Sequence, residues 1–152
     1  MKSIITTFLA YFIISNVWSA TITVTNANDS GAGSLREAIV NSANGDEIVF
    51  EASLANQTIH LTSGEITIDT DLTIDATSVN NIVIDANNNS RIFYIKNFRD
   101  VVIKNLTLQN GRATTAVTTD AWGGAITTNN NDINLWLTNV TFSHNTSEAG
   151  GA

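Results

Sequence analysis

Residues 59–142 consist of short apolar segments, each three to five residues long, separated by corners rich in Asn, Asp, Gly and Thr. Ile and Thr favour extended backbone and Asn favours turns, and 21 Thr, 20 Asn and 18 Ile make up over a third of the chain. The sequence therefore predicts an all-β fold. Strands this short cannot form a free-standing sandwich of ordinary depth. The expected strands are 59–61, 66–68, 72–74, 82–84, 92–95, 101–103, 106–108, 125–127, 135–137 and 140–142.

Short sequences recur in this region. Segments 72–74, 106–108 and 140–142 are similar and equally spaced, and the same interval, which we call the long repeat, separates Ile92 from Ile126 and Asn105 from Asn139. Gly-Gly-Ala occurs at 123–125 and again at 150–152, and 72–76 resembles 82–86. Repeats with corners of variable length are typical of a β-solenoid, in which each coil stacks on the next. We expect flanking Ile and Leu to point inward and middle Thr outward. We also expect the chain to be the amino-terminal piece of a longer protein.

One helix is predicted ahead of these strands, over residues 34–43. Ser34 and Glu37 form a capping box, in which Ser34 accepts from the backbone near Glu37 and the Glu37 carboxylate reaches back to the N–H of Ser34. Leu35 and Ile39 fall on one helix face. Because about ten residues do not form a stable helix alone, we expect this helix to close the amino-terminal end of the solenoid with both side chains buried. Strands are expected on either side, at 21–25 and 47–50.

The first twenty residues are typical of a secretory signal peptide. Lys2 gives a positive start, and Ile4–Val17 forms an apolar core of fourteen residues. As a transmembrane helix this core would extend about 21 Å, short of the roughly 30 Å hydrocarbon layer of a bilayer. Cleavage after Ser19 suits the preference for small residues, whereas cleavage after Ala20 leaves the bulky Trp18 in a poor position. We expect the mature chain to begin at Ala20 or Thr21.

Composition excludes several functions. The 14 Asp and Glu outnumber the 7 Lys and Arg and give a net charge of −7, which speaks against nucleic acid as a partner because phosphate binding needs clustered cations. The chain has no Cys, so disulfides, thiol nucleophiles and thiolate metal sites are excluded.

Two motifs in succession resemble those of known bacterial families. Residues 33–39, Gly-Ser-Leu-Arg-Glu-Ala-Ile, resemble the amino-terminal module of secreted proteins named for a Cys-Ser-Leu-Arg-Glu-Ala motif, with Gly33 in place of the Cys. Residues 123–126, Gly-Gly-Ala-Ile, and 142–145, Phe-Ser-His-Asn, resemble the GGAI and FxxN repeats of polymorphic outer membrane proteins. The resemblance implies a right-handed parallel β-helix at the cell surface or outside the cell, often the passenger of a longer protein.

The resulting domain prediction has three parts: a signal peptide at 1–20, an amino-terminal cap module at 21–58 and β-helix coils at 59–152. A cell-surface glycan or a protein receptor is the expected type of partner. Attachment to the outer membrane would require sequence that this chain does not contain.

Candidates for catalysis are few. Asp69, Asp71, Asp75 and Asp85 could form a carboxylate cluster for a cation or for glycosidic bond cleavage, but Asp at the corner of a short strand more often accepts from local backbone amides. The nearest cations are Arg91, Lys96 and Arg99, without a recognisable catalytic motif. His60 and His144 are far apart in the sequence, and we interpret both as structural or exposed. We therefore predict no catalytic, cofactor-binding or metal-binding residues and expect no cofactor.

Asn105 and Asn139 occupy equivalent corners between paired strands. We expect an inward ladder in which each amide bonds to its neighbour, with an exposed turn asparagine as the alternative. Both also begin glycosylation sequons, which arise by chance in a chain rich in Asn and Thr. The longest irregular stretch, Arg112–Trp122, is the best candidate contact loop, and Trp122 and Trp136 are candidate sugar-stacking surfaces.

The sequence leaves three functions open. The leading hypothesis is an exported, non-enzymatic adhesin-type β-helix protein that presents a binding surface. A carbohydrate-cleaving β-helix is the enzyme alternative, and it requires stacked Asp with Arg or Lys on one parallel sheet. An ice-binding solenoid is the third, and it needs a flat Thr array on several successive coils.

Overall fold

The computed structural model describes residues 19–96, 98–115, 121–128 and 132–150. The predicted signal peptide lies almost entirely outside this part of the chain. Within it, one α-helix, α1 (Leu35–Val40), and one 3-10 turn (Ala52–Leu54) accompany fourteen strands. The strands are β1 (Thr21–Val24), β2 (Asp46–Phe50), β3 (Thr58–His60), β4 (Ile66–Ile68), β5 (Leu72–Asp75), β6 (Ile82–Asp85), β7 (Phe93–Ile95), β8 (Asp100–Lys104), β9 (Leu106–Gln109), β10 (Arg112–Ala113), β11 (Ile126–Thr128), β12 (Asn134–Thr138), β13 (Thr141–Ser143) and β14 (Thr146–Ser147).

These strands form short sheets in which every pairing is parallel, so the all-β prediction is confirmed. Sheet A has the order β1-β2-β5-β8-β12, sheet B β13-β9-β6-β3, sheet C β11-β7-β4 and sheet D β10-β14. From β2 to β9 the chain visits sheets A, B and C in turn and then repeats that order. The expected boundary between the cap module and the coils, after residue 58, falls inside β3. Sheet A includes strands from both of these segments, because β2 of the cap module pairs with β5 of the coils.

The long repeat holds for only part of the chain. Thr107 pairs with Thr141, and Asn134 pairs with Asp100, both at the interval of this repeat. The extension of the repeat back to Leu72 is wrong, because Leu72 pairs with Val101 in sheet A. Segments 72–76 and 82–86 also belong to different sheets, A and B. Strands of different sheets share one alternating pattern, so their similarity does not reveal which strands pair.

Alternation along each strand separates interior from exterior side chains. In β4, Ile66 and Ile68 are buried while Thr67 between them is exposed, as expected from the period of two. The same arrangement in β5 and β9 buries Leu and Ile and leaves Thr half-buried on the outer face. The inward side chains of sheets A, B and C belong to one hydrophobic cluster, which is the core of the molecule.

Helix α1 packs against β1 and β4, and the predicted burial of Leu35 and Ile39 is confirmed. It is shorter than the predicted 34–43. The Ser42 hydroxyl donates to the Ile39 carbonyl at 2.8 Å and contacts Thr70 Oγ1, which replaces a further helical turn.

The cap of α1 also differs in one detail. Ser34 Oγ accepts from the N–H of Glu37 at 3.2 Å, as predicted, but the Glu37 carboxylate accepts from the N–H of Gly33 at 2.9 Å. The N–H of Ser34 is already used, since it donates to the Gly31 carbonyl. Gly33 has φ +80°, and a Cβ built there would lie 2.1 Å from Thr25 Oγ1. Glycine therefore satisfies both the backbone conformation and the space at this position.

Strands β12 and β13 lie at one edge of sheets A and B, and their inward side chains are less covered than those of the strands before them. Leu137 is 42% exposed, whereas its register partner Ile103 is fully buried. Phe142 is 45% exposed, whereas its partner Leu108 is fully buried. An apolar surface therefore remains open at this end of the two sheets.

Candidate functional site

Four asparagines form a row at the corner that leads from sheet A into sheet B. Asn56, Asn81, Asn105 and Asn139 each lie shortly ahead of a strand of sheet B, and their φ angles lie between +53° and +61°. Asparagine tolerates this left-handed conformation better than other residues with a side chain, which explains its recurrence at the corner. The long repeat identified two of the four. The other two, Asn56 and Asn81, lie earlier in the chain at shorter intervals, which do not match that repeat.

Side-chain amides link neighbouring members of this asparagine row. Asn139 Nδ2 donates to Asn105 Oδ1 at 3.1 Å, so the predicted contact between these two residues is confirmed. Asn81 Nδ2 donates likewise to Asn56 Oδ1 at 2.9 Å. Asn105 Nδ2 donates instead to Thr77 Oγ1 at 2.6 Å, which interrupts the row between its two halves.

The predicted inward direction of this ladder is wrong, because Asn139 is exposed and Asn105 only half-buried. The inward asparagine is Asn145, the last residue of the Phe-Ser-His-Asn motif, which is 8% exposed. Its Oδ1 accepts from the N–H of Gly111 at 2.7 Å, and its Nδ2 donates to the Leu108 carbonyl at 2.9 Å. A corner in the left-handed conformation turns its side chain outward here, whereas Asn145 has an ordinary negative φ.

A second row follows two residues after the first, on the outer face of sheet B. It consists of Thr58, Val83, Thr107 and Thr141, which are consecutive register partners. Each asparagine of the first row stands two residues ahead of a member of this second row, so the sequence is Asn-x-Thr wherever that member is Thr. The sequons at 56, 105 and 139 therefore coincide with positions where the two rows run side by side. The ice-binding alternative requires a flat Thr array on several successive coils. This row is only one residue wide, and Val83 takes the place of one Thr.

A third row on the same face contains His60, Asp85, Gln109 and Ser143. Asp85 is buried and accepts from Gln109 Nε2 at 2.8 Å and from Asn110 Nδ2 at 3.0 Å. Burial raises the pKa of this carboxyl, but hydrogen bonds from Asn87, Gln109 and Asn110 and the nearby His60 outweigh burial and hold the pKa below its usual range. The only carboxylate among the three rows is therefore ionised. It accepts from the amides of Gln109 and Asn110, and its Oδ2 lies 3.8 Å from His60 Nδ1.

A shallow groove of about 240 Å³ lies along the first two rows. Its walls include the amides of Asn81, Asn105 and Asn139 and the hydroxyls of Thr107 and Thr141. The named polar groups are uncharged, and each can both donate and accept hydrogen bonds. We call the three rows with this groove the sheet B face.

Of the four aspartates considered for catalysis, Asp69 and Asp71 lie at the corner between β4 and β5. Asp69 forms salt bridges with Lys96 at 2.6 Å and Arg99 at 2.8 Å, and the hydrogen bonds to these two cations lower its pKa. Asp71 Oδ1 accepts from the N–H of Asp100 at 3.0 Å. Asp71 thus accepts from a backbone amide that is distant in the chain, and not from the local amide expected at a corner, whereas Asp69 is held by cations.

Asp75 ends β5 and lies beside its register partner Lys104 in sheet A, at 3.0 Å from Oδ2 to Nζ. Asp75 Oδ1 also accepts from the N–H of Thr77 at 2.8 Å. Burial raises the pKa of Asp75, but the bonds from Thr77 and Lys104 lower it by more. Among the described residues, no group of three or more Asp, Glu, His or Cys is placed to hold a metal ion.

Of the three cations considered for catalysis, Arg91, Lys96 and Arg99, only Arg91 is buried. Its Nε forms a salt bridge with Glu65, its Nη1 donates to the Trp122 carbonyl at 2.9 Å, and its guanidinium lies 5.6 Å from the centre of the Tyr94 ring. These contacts tie the start of β7 to the corner before β4. Arg91 thereby supports the core, and its guanidinium does not face an open surface.

The remaining candidates do not line the sheet B groove. His144 is exposed and at 2.7 Å from Ser143 Oγ, and His60 is exposed beside Asn87. Trp136 is on the outer face of sheet A and 50% exposed, and Trp122 is 59% exposed. In the predicted contact loop, residues 116–120 lie outside the described part of the chain.

Comparison with known proteins finds no matching family model, no matching curated protein and no matching solved structure. Within the described ranges, no helix is long and apolar enough to cross a membrane. The chemistry of the sheet B face is therefore the basis for the proposed function.

Proposed function

We propose that this chain is an exported, right-handed parallel β-helix protein of the cell surface or extracellular space, which acts by binding rather than by catalysis. The cyclic order of sheets A, B and C, the parallel pairing and the shared core support stacked coils. Right-handedness follows from the strong preference of parallel crossover connections for that hand. The Arg36 contacts at the helix and the inward Asn145 give structural roles to the two motifs that resemble surface-protein families.

The sheet B face is the observation that carries the binding function. Amide and hydroxyl groups repeat along it from strand to strand, and its one carboxylate already has the amides of Gln109 and Asn110 and the ring of His60 as partners. A chain of neutral sugars presents hydroxyls along its length, and each hydroxyl both donates and accepts. We therefore propose a neutral, polyhydroxylated glycan as the ligand class, held by hydrogen bonds along the Asn and Thr rows.

A glycan array of neutral and uronate-containing oligosaccharides tests this proposal. The informative variant is T107V/T141V, which removes two hydroxyls while keeping side-chain shape, and Val83 already occupies the same row. Loss of two hydrogen bonds should weaken neutral-glycan binding about tenfold. The control T67V removes a hydroxyl from the outer face of sheet C and should bind as the wild type does. Equal binding by wild type and T107V/T141V would contradict the proposed surface.

A carbohydrate-cleaving β-helix is the second candidate, because acids do lie beside cations. Asp75 pairs with Lys104 on adjacent strands of sheet A, and Asp69 pairs with Lys96 where each follows a strand of sheet C. These carboxyls have lowered pKa values, which suits an ion pair and not a general acid, whose pKa must be raised. The assay is release of reducing ends from acidic and neutral polysaccharides, with and without Ca²⁺. Turnover that disappears in D75N or D85N would favour the enzyme.

A further inference from the structure

The first described residues of the chain are bonded to the start of β2. The backbone N–H of Ala20 donates to Asp46 Oδ1 at 2.8 Å, and the N–H of Ala43 donates to Asp46 Oδ2 at 2.8 Å. The Ala20 carbonyl accepts from the N–H of Glu47, also at 2.8 Å. Ala20 therefore belongs to the edge of sheet A even though strand β1 begins one residue later.

Asp46 is a buried acid without a cationic side chain beside it. It is 5% exposed, and among the described residues no Lys, Arg or His forms a salt bridge with it. A buried carboxylate is costly unless charge or hydrogen bonds compensate it. The hydrogen bonds from Ala43 and Ala20 lower the pKa of Asp46, so the carboxylate is ionised and faces the Ala20 nitrogen.

We propose that export processes this chain between Ser19 and Ala20, and that the α-ammonium group released at Ala20 forms an ion pair with Asp46. The proposal rests on the export proposed above. Hydrolysis of the Ser19–Ala20 peptide bond by a signal peptidase consumes one water, leaves a carboxylate on Ser19 and leaves an amine on Ala20 that takes up a proton. The nitrogen that donated one amide hydrogen to Asp46 then carries a full positive charge, and charge-assisted bonds of this kind are stronger than neutral ones.

The structure separates the two cleavage positions that the sequence left open. Cleavage after Ala20 would remove the donor to Asp46 and the acceptor for Glu47. Cleavage after Ser19 keeps both and, among the contacts of the described residues, loses only the hydrogen bond from the Ser19 hydroxyl to the Gly45 carbonyl. The small residues at 17 and 19 favour the same position.

Intact mass and amino-terminal sequencing of the exported protein test the cleavage. The expected chain begins at Ala20. An exported chain that begins at any residue other than Ala20 would overturn this inference and leave export standing. A chain that is recovered only from inside the cell, with residues 1–18 intact, would refute export as well, so the two failures are distinguishable.

The ion pair is tested by comparing the chain that begins at a free Ala20 with the same chain acetylated at that amine. Because the pair lies at a partly exposed terminus, acetylation should lower Tm by about 1–4 °C. The same acetylation should have no effect in D46N, whereas the control E51Q, at an exposed acid, should respond as the wild type does. Equal Tm values for the free and acetylated wild type would overturn the ion pair, whether or not D46N folds.

Discussion

Arg36 donates from Nη2 to Asp29 Oδ1 at 2.7 Å while the same guanidinium donates to two backbone carbonyls, those of Gly64 at 2.7 Å and Glu65 at 2.8 Å. Asp29 Oδ2 in turn accepts from Thr62 and from the N–H of Ser63. Helix α1 is thereby fastened to the corner before β4 by one largely buried cation and one largely buried acid. The arginine of the Ser-Leu-Arg-Glu-Ala segment is thus a structural connector.

The Asp29 carboxyl makes this connection dependent on pH. Burial raises its pKa, but hydrogen bonds from Ser63, Arg36 and Thr62 and the Arg36 charge lower the pKa from 3.8 to about 2. Because the folded pKa lies below the unfolded one, the stabilisation is complete above pH 4 and is lost as the pH falls toward 2. D29N should reduce the free energy of unfolding at pH 7 by about 2 kcal/mol, measured by urea unfolding. The difference from wild type should shrink between pH 4 and pH 2, and a constant difference would contradict this role.

Gly33 should be the most sensitive glycine near the helix. Ala at this position has the wrong φ and a Cβ that would collide with the Thr25 side chain, so G33A should destabilise the fold by about 2 kcal/mol or more. Gly31 is the matched control, since it also has positive φ but has no atom within 4 Å of a built Cβ. G31A should cost only the backbone term, about 1 kcal/mol. If thermal unfolding showed equal destabilisation of the two variants, the Thr25 side chain would be able to move away from the new Cβ at no cost in stability.

The open edge of sheets A and B predicts a contrast between register partners. I103A removes a fully buried side chain and should cost about 2–5 kcal/mol in free energy of unfolding. L137A, at the partner position 42% exposed, should cost less than about 1 kcal/mol. A loss in L137A as large as that in I103A would mean that further protein covers β12 in solution. Sedimentation velocity would then show whether the cover is a second copy, which gives a dimer, or another part of the same chain, which leaves a monomer.

Asn145 and Asn139 should respond differently to loss of their amides. N145A leaves the Gly111 N–H and the Leu108 carbonyl without this buried partner and should cost about 2 kcal/mol or more. N139G removes an exposed amide while retaining a residue that accepts positive φ, and it should cost less than about 1 kcal/mol. Denaturant unfolding of both variants checks the order, which would be reversed if the outer asparagine row were the main stabilising ladder.

Much of the local structure follows from sequence because its causes are local. Alternation of Ile and Thr sets which side chains of β4 face inward, since successive residues of a strand point to opposite sides. Ser34 fixes the start of α1 through a bond to the nearby backbone of Glu37. The spacing of Leu35 and Ile39 likewise predicts the buried helix face.

Strand pairing and the direction of corner side chains were decided only by the tertiary structure. Leu72 pairs with Val101 and not with Leu106, because corners of different length change the number of residues between partners while every strand keeps the same alternating pattern. The sequence cannot distinguish Asn139, which faces outward, from Asn145, which faces inward, because the difference is the sign of φ at two neighbouring corners. The sheet B face depends on both the strand pairing and the direction of the corner side chains. Its rows join residues that are distant in the chain and share a surface only after the strands have paired.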